Sequence, residues 1–350
     1  MRESAVVVRM RALALAMALG ALALPSAAAA PTLRHHYDAD PTWSLDSRLI
    51  AFSRDDELWV MRANGSGQHR VAVTASWAWS PDGTLVYTAR GDLYRIGPDG
   101  AGRVQLTSGP ADDEWPAVSP NGDIAFERAL PPRHRYDVWV MAEDGSAQRP
   151  LTQSAADDVQ PDWSPDGTSV VFASCLKQCR IVAALADGSG FRFLTRAQDS
   201  AAPKWSPAGD RIAFLRAANL EQGYAKLFVV RPDGSGLRRA QPAPPEVEAR
   251  FGQTQGFDWA PDGRAIAYAA DSGFGPGRIL LVANAGLRNP HPLIKSGPGR
   301  VSSDDDVPAW SPDGRTIVFM RYAGEPDGSV YGTIWKVGAD GLRLRRLTRG

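Results

Sequence analysis

Residues able to do chemistry recur in this sequence at one fixed spacing. Asp38, Asp113, Asp158 and Asp305 each stand five positions before a copy of the anchor Trp-Ser-Pro-Asp-Gly or a variant of it. Glu114, Asp304 and Asp306 adjoin two of them. Clustered carboxylate oxygens suit a hard cation, so one expectation is Ca²⁺ at Asp113, Asp158 and Asp305, or a basic peptide in its place. The competing expectation is structural, because an Asp repeated in several copies can cap a loop and accept backbone N–H bonds. Residues that do not repeat are better candidates for function. These are Arg133, His134 and Tyr136 in a loop of the third copy, and the triplet Asp304, Asp305 and Asp306.

Other reactive side chains read as structure. Cys175 and Cys179 fit a disulfide at a hairpin tip, since a lone C-x₃-C offers no third or fourth zinc ligand. The five His are scattered, with His35 and His36 expected in solvent. Neither G-x-S-x-G, H-E-x-x-H nor G-x-x-x-x-G-K-[ST] occurs. The expectation is a non-catalytic protein without a cofactor, Ca²⁺ apart.

The elements that must position these residues come from repetition. The anchor is intact at Trp79, Trp163 and Trp310, with variants at Trp43, Val118, Trp205 and Trp259. The seven copies are 36 to 54 residues apart. Each has an aromatic eight or nine residues after the anchor: Phe52, Tyr87, Phe126, Phe172, Phe214, Tyr268 and Phe319. A second β-rich run and a hairpin signal such as Asp-Gly follow, and four copies close on Leu-Thr. Four short strands per repeat of this length predict β-propeller blades. The fold class is therefore all-β, a seven-bladed β-propeller of four-stranded antiparallel blades, with six blades as the alternative. Six anchor Trp, with Trp59, Trp139 and Trp335 in a second column, read as packing between blades.

Composition agrees. The 34 Gly and 27 Pro argue against long helices, and 43% hydrophobic residues argue against disorder. Lys plus Arg equals Asp plus Glu at 39 each, which disfavours a nucleic-acid partner. With strands placed in chain order, the Pro-Asp-Gly and Asp-Gly turns open on one face of the ring. Longer loops, over 129–137, 217–225 and 322–331, and crossings at 241–257 and 289–307 open on the other. That loop-rich face is where binding is expected.

The composite D-x-x-P-x-W-S-P-D-G…I-A-F…L-W-V-M…D-G-S-x-x-x-x-L-T resembles the TolB-type β-propeller repeat, over residues 38–350. The resemblance implies a periplasmic propeller that binds protein partners. TolB-type proteins have six blades behind an α/β domain; here seven anchors follow a short N-terminal segment. The repeat is also similar to propellers that precede prolyl-oligopeptidase hydrolase domains.

Arg2, Arg9 and Arg11, an apolar run over 12–24 and small residues over 26–30 have the layout of a secretory signal peptide. The run is shorter than the ~20 residues a membrane-spanning helix needs. The expected organisation is a leader over 1–30, cleaved near Ala30, and a propeller over 31–350. The expected protein is a secreted or periplasmic monomer, a binding or scaffolding propeller for an envelope protein or peptide. The alternatives are a hydrolase or lyase acting on polysaccharide or peptide, and a gating propeller detached from its hydrolase.

Overall fold

The computed structural model describes residues 36–74, 76–132, 135–219, 224–240, 256–271, 278–294, 304–324 and 330–349. They form seven four-stranded antiparallel sheets, each built from four consecutive strands. In blade 1 these are Asp38–Trp43, Leu49–Arg54, Glu57–Arg62 and His69–Val73. Blades 2 to 7 span 77–105, 112–150, 157–193, 200–239, 257–292 and 304–346. First strands touch at five of the seven blade seams, that between blades 7 and 1 included, so the blades circle one axis. The fold is a seven-bladed β-propeller, which excludes the six-bladed alternative. The expected leader lies outside the described residues.

Each recurring motif has a physical task. In the anchor, Ser164 Oγ donates to Asp166 Oδ1 at 2.5 Å, and Ser311 Oγ to Asp313 Oδ1 at 2.6 Å. The Gly that follows takes a positive φ, 70° at Gly167, which only Gly adopts without strain. Ser47 stands at that position in blade 1 and still adopts 61°. Four anchor indoles reach across a blade seam, among them Trp163 Nε1 donating to Ala117 O at 3.1 Å and Trp259 Nε1 to Lys204 O at 3.3 Å. Those of Trp205 and Trp310 make no hydrogen bond. The Thr of Leu-Thr completes the outer edge. Thr152 Oγ1 accepts Val138 N–H at 3.0 Å and Thr348 Oγ1 accepts Ile334 N–H at 2.9 Å. Phe52, Phe126, Phe214 and Phe319 of the aromatic column are fully buried.

Among the described residues, no strand is exchanged between the first and last blades. Their seam is held by side chains instead: Trp43 Nε1 to Ala309 O at 3.2 Å, Gln68 Nε2 to Leu347 O at 3.2 Å, and Asp313 N–H to Ser47 Oγ at 3.1 Å.

Three expected loops prove shorter than read from the sequence. Ala129 pairs with Tyr136, Ala217 with Ala225 and Ala323 with Tyr331, so the second and third strands run on into long hairpins. Continuing the ladder satisfies backbone groups that a loop would leave to water. Tyr136 is consequently a buried strand residue. Cys175 and Cys179 face each other across the blade 4 hairpin, disulfide-bonded and buried.

Candidate functional site at the axis and its loop-rich mouth

The repeated carboxylates sit where the sequence places them, at the loop-rich start of the innermost strands, but they turn inward. Asp38, Asp113 and Asp305 are 0–3% exposed. Each is gripped at both oxygens by an Arg from the second strand of its own blade. Arg54 binds Asp38 at 2.6 and 2.9 Å, Arg128 binds Asp113 at 2.6 and 2.7 Å, and Arg321 binds Asp305 at 2.5 and 2.8 Å. Each guanidinium lies between a Phe of its own strand and the Trp opposite, 4.7 Å from Trp59, 4.6 Å from Trp139 and 4.5 Å from Trp335. The second Trp column is thus a stacking surface for Arg rather than apolar packing alone. Gln68 and Gln148 extend two of the pairs to the preceding blade.

Sequence reading missed this Arg column. Its signal is Phe-x-Arg, at Phe52, Phe126, Phe214 and Phe319, with the Arg 15 or 16 residues after the Asp or its substitute.

Blades 4 and 5 each keep one half of the pair. Blade 4 has Asp158, 1% exposed, but Ser174 in place of the Arg. Asp158 Oδ2 accepts from Ser154 Oγ at 3.0 Å while Oδ1 makes no hydrogen bond. Burial raises its pKa, and the hydroxyls of Ser174, Thr152 and Ser154 offset part of that rise. Blade 5 has Arg216 but Ser200 in place of the Asp. Arg216 Nε donates to Ser200 Oγ at 3.2 Å, and its buried Nη2 makes no hydrogen bond.

A second set of positions recurs on the innermost strands. Asp40, Trp115, Gln160, Ala202 and Val307 hold the same place on five innermost strands, all with φ between 48° and 57°. Register shifts accompany them, so each marks a β-bulge. The bulges link blades: Gln160 Oε1 accepts Ala202 N–H at 2.8 Å, and Glu127 Oε1 accepts Gln160 N–H at 2.8 Å. Asp40 keeps contact with solvent although protein surrounds it on most sides. Burial first, then the neighbouring Asp306, raise its pKa to about 6.

Nearer the anchors, Asp162, Lys204 and Asp258 follow one another on blades 4, 5 and 6. Lys204 Nζ binds Asp258 Oδ1 at 3.1 Å. Asp162 Oδ2 accepts Trp205 N–H at 2.7 Å, and Asp258 Oδ2 accepts Trp310 N–H at 2.8 Å. Asp258 raises the Lys204 pKa against the opposing effect of burial, and Asp162 adds to it. Burial brings Asp162 itself up to about 6 despite its hydrogen bond from Trp205 and the nearby Lys204.

The Asp162 shift makes a pH prediction. A carboxyl whose folded pKa lies above its unfolded value of 3.8 costs stability progressively as pH rises from about 4 to about 6. Asn keeps the acceptor for Trp205 and removes the charge. Asp162→Asn should therefore match wild type at pH 4 and exceed it by about 1–2 kcal/mol above pH 6, allowing for partial exposure. Denaturant midpoints across that range test this; an unchanged difference between pH 4 and 7.5 would refute it.

The remaining candidates are placed as follows. Arg133 and His134 lie outside the described residues. Glu114 is half-buried on the first strand of blade 3, and Asp304 opens that of blade 7. Tyr136 N–H donates to Asp157 Oδ1 at 3.1 Å. His36 is exposed, as expected, and meets the exposed Asp55 at 2.5 Å. Among the described residues, no group of three or more His, Cys, Asp or Glu is arranged to hold a metal ion. Asp113 and Asp305 already have both oxygens engaged by guanidinium.

No protein-family model matches the sequence, and no curated protein matches it. Solved structures do match in shape. A TolB-type protein from Agrobacterium tumefaciens is 17% identical with a TM-score of 0.51, covering 90% of this chain and 99% of its own. An oligogalacturonate lyase from Vibrio parahaemolyticus is 12% identical with a TM-score of 0.63, covering 87% and 91%. A puromycin-hydrolyzing peptidase from Mycobacterium tuberculosis is 17% identical with a TM-score of 0.65, covering 90% of this chain and 54% of the peptidase. At these identities the likeness shows a TolB-like β-propeller fold.

Proposed function

We propose that the chain is a non-catalytic binding propeller of the cell envelope that recognises a protein or peptide partner at its loop-rich face. One observation carries this reading. The repeated charges of blades 1, 3 and 7 are consumed in internal Asp–Arg pairs, whereas the unrepeated Asp40 stays open to solvent, with the buried Asp306 nearby. A rigid ring presenting unrepeated polar groups at one mouth suits recognition by shape and charge. The buried Cys175–Cys179 disulfide fits an oxidising compartment, as the leader-like N-terminus does.

A second reading has a specific support. A carboxyl poised near pH 6 beside another is suited to general acid–base work, so the hydrolase or lyase alternative places its chemistry at Asp40. Retention of an envelope protein by the immobilised chain, lost in Asp40→Lys, is the expected result. Turnover of a peptide or oligosaccharide panel that is abolished by Asp40→Asn would replace the binding reading with the enzymatic one.

A further inference from the structure

Blade 5 differs from the other Arg-bearing blades in what faces its guanidinium. Cross-strand partners in an antiparallel ladder project from the same face. Arg54 is opposite Glu57, Arg128 opposite Asp137 and Arg321 opposite Thr333. Arg216 is opposite Lys226. With its paired Asp, each of the first three clusters is neutral or carries one net negative charge. In blade 5, Ser200 replaces the Asp and Lys226 the acid or Thr, leaving a net charge of two positive.

The Arg216 guanidinium is otherwise built like the rest. It lies 5.5 Å from Phe214 and 4.5 Å from Phe228, rings that stack on each other at 5.6 Å, and Ser200 holds its Nε. It is an oriented cation without its carboxylate, half-buried so that part of it reaches solvent. Burial lowers its pKa, the mark of a charge lacking compensation.

The geometry points to a carboxylate-binding site formed by Arg216 and Lys226 at the loop-rich end of blade 5, with the buried Ser200 orienting the guanidinium, occupied by a carboxylate of a peptide partner. This rests on the binding reading above and names the chemistry it recognises. An aromatic-backed Arg beside a Lys favours a planar oxyanion over a neutral group. The carboxylate comes either from an Asp or Glu side chain or from a chain terminus.

Fluorescence anisotropy with three labelled decapeptides tests it: an amidated Ala/Glu peptide, a free-acid Ala/Gln peptide and an amidated Ala/Lys peptide. A carboxylate-bearing probe should bind, and which of the two binds identifies the source. Ser200→Asp supplies the carboxylate internally, so it should weaken that binding at least tenfold while raising Tm by about 2–4 °C. Lys226→Glu should weaken it similarly, which keeps the test open if Ser200→Asp folds poorly. Binding equal in wild type and both variants, or confined to the Lys peptide, overturns this site and leaves the binding reading standing. Binding of no probe, together with failure to retain any envelope protein, overturns both.

Discussion

Replacing Arg128 by Met should cost about 3–5 kcal/mol of stability, among the largest effects open to a single side chain here. Asp113 is 1% exposed, and both its oxygens are bonded by Arg128. Without the guanidinium, a desolvated carboxylate would remain between blades, with only a shift toward the protonated form to relieve it. Removing both charges leaves no such debt. Asp113→Leu with Arg128→Met should recover most of the loss, because desolvating an ion pair consumes much of its Coulombic gain. The Met still covers Phe126 and Trp139, which Arg128 contacts at 5.0 and 4.6 Å. Urea unfolding of the two single variants and the double variant measures the coupling. A single variant within ~1 kcal/mol of wild type would show that the pair is not the stabilising element its geometry indicates.

Trp43→Ala should cost a similar amount, about 3–5 kcal/mol from the cavity left, and should act at one place. The Trp43 side chain is 7% exposed and packs with Val318, Ile334 and Leu347 of the last blade. Its N–H reaches Ala309 O across a seam where, among the described residues, the two blades share no strand. Trp163 makes the same bond to Ala117 O at 3.1 Å, but there consecutive blades are joined by the chain. Hydrogen exchange should distinguish the two positions. In Trp43→Ala the amides of blades 1 and 7 should exchange first, ahead of the rest, through local opening of the ring. In Trp163→Ala no such pairing of the terminal blades is expected. Uniform loss of protection in both variants would mean that the closing seam is no weaker than the others.

Much of the fold was legible from residue order, because its causes are local. The anchor turn needs Ser, Asp and Gly at fixed offsets, and Asn-Gly or Asp-Gly specifies a hairpin within a few residues. Seven recurrences of those local rules fix the number of blades and the order of strands. The start of the innermost strand at Asp38 or Asp305 was legible on the same basis. Hairpin length was not. The extra pairs between Ala129 and Tyr136 or Ala323 and Tyr331 lie in stretches whose composition reads as loop.

The site divides along the same line. By itself, the sequence determined which residues repeat and which do not, and therefore that Asp38, Asp113, Asp158 and Asp305 share one structural position. Tertiary structure alone decided what that position does. A carboxylate's behaviour depends on charges and dielectric within a few ångströms, and its partner Arg is some 15 residues away, brought opposite by strand pairing. The same folding leaves Asp158 and Arg216 without their counterparts, encloses Asp40 beside Asp306 from the other end of the chain, and aligns Asp162, Lys204 and Asp258 across three blades. Spacing along a chain does not encode proximity around a ring, because the axis gathers residues more than 250 positions apart.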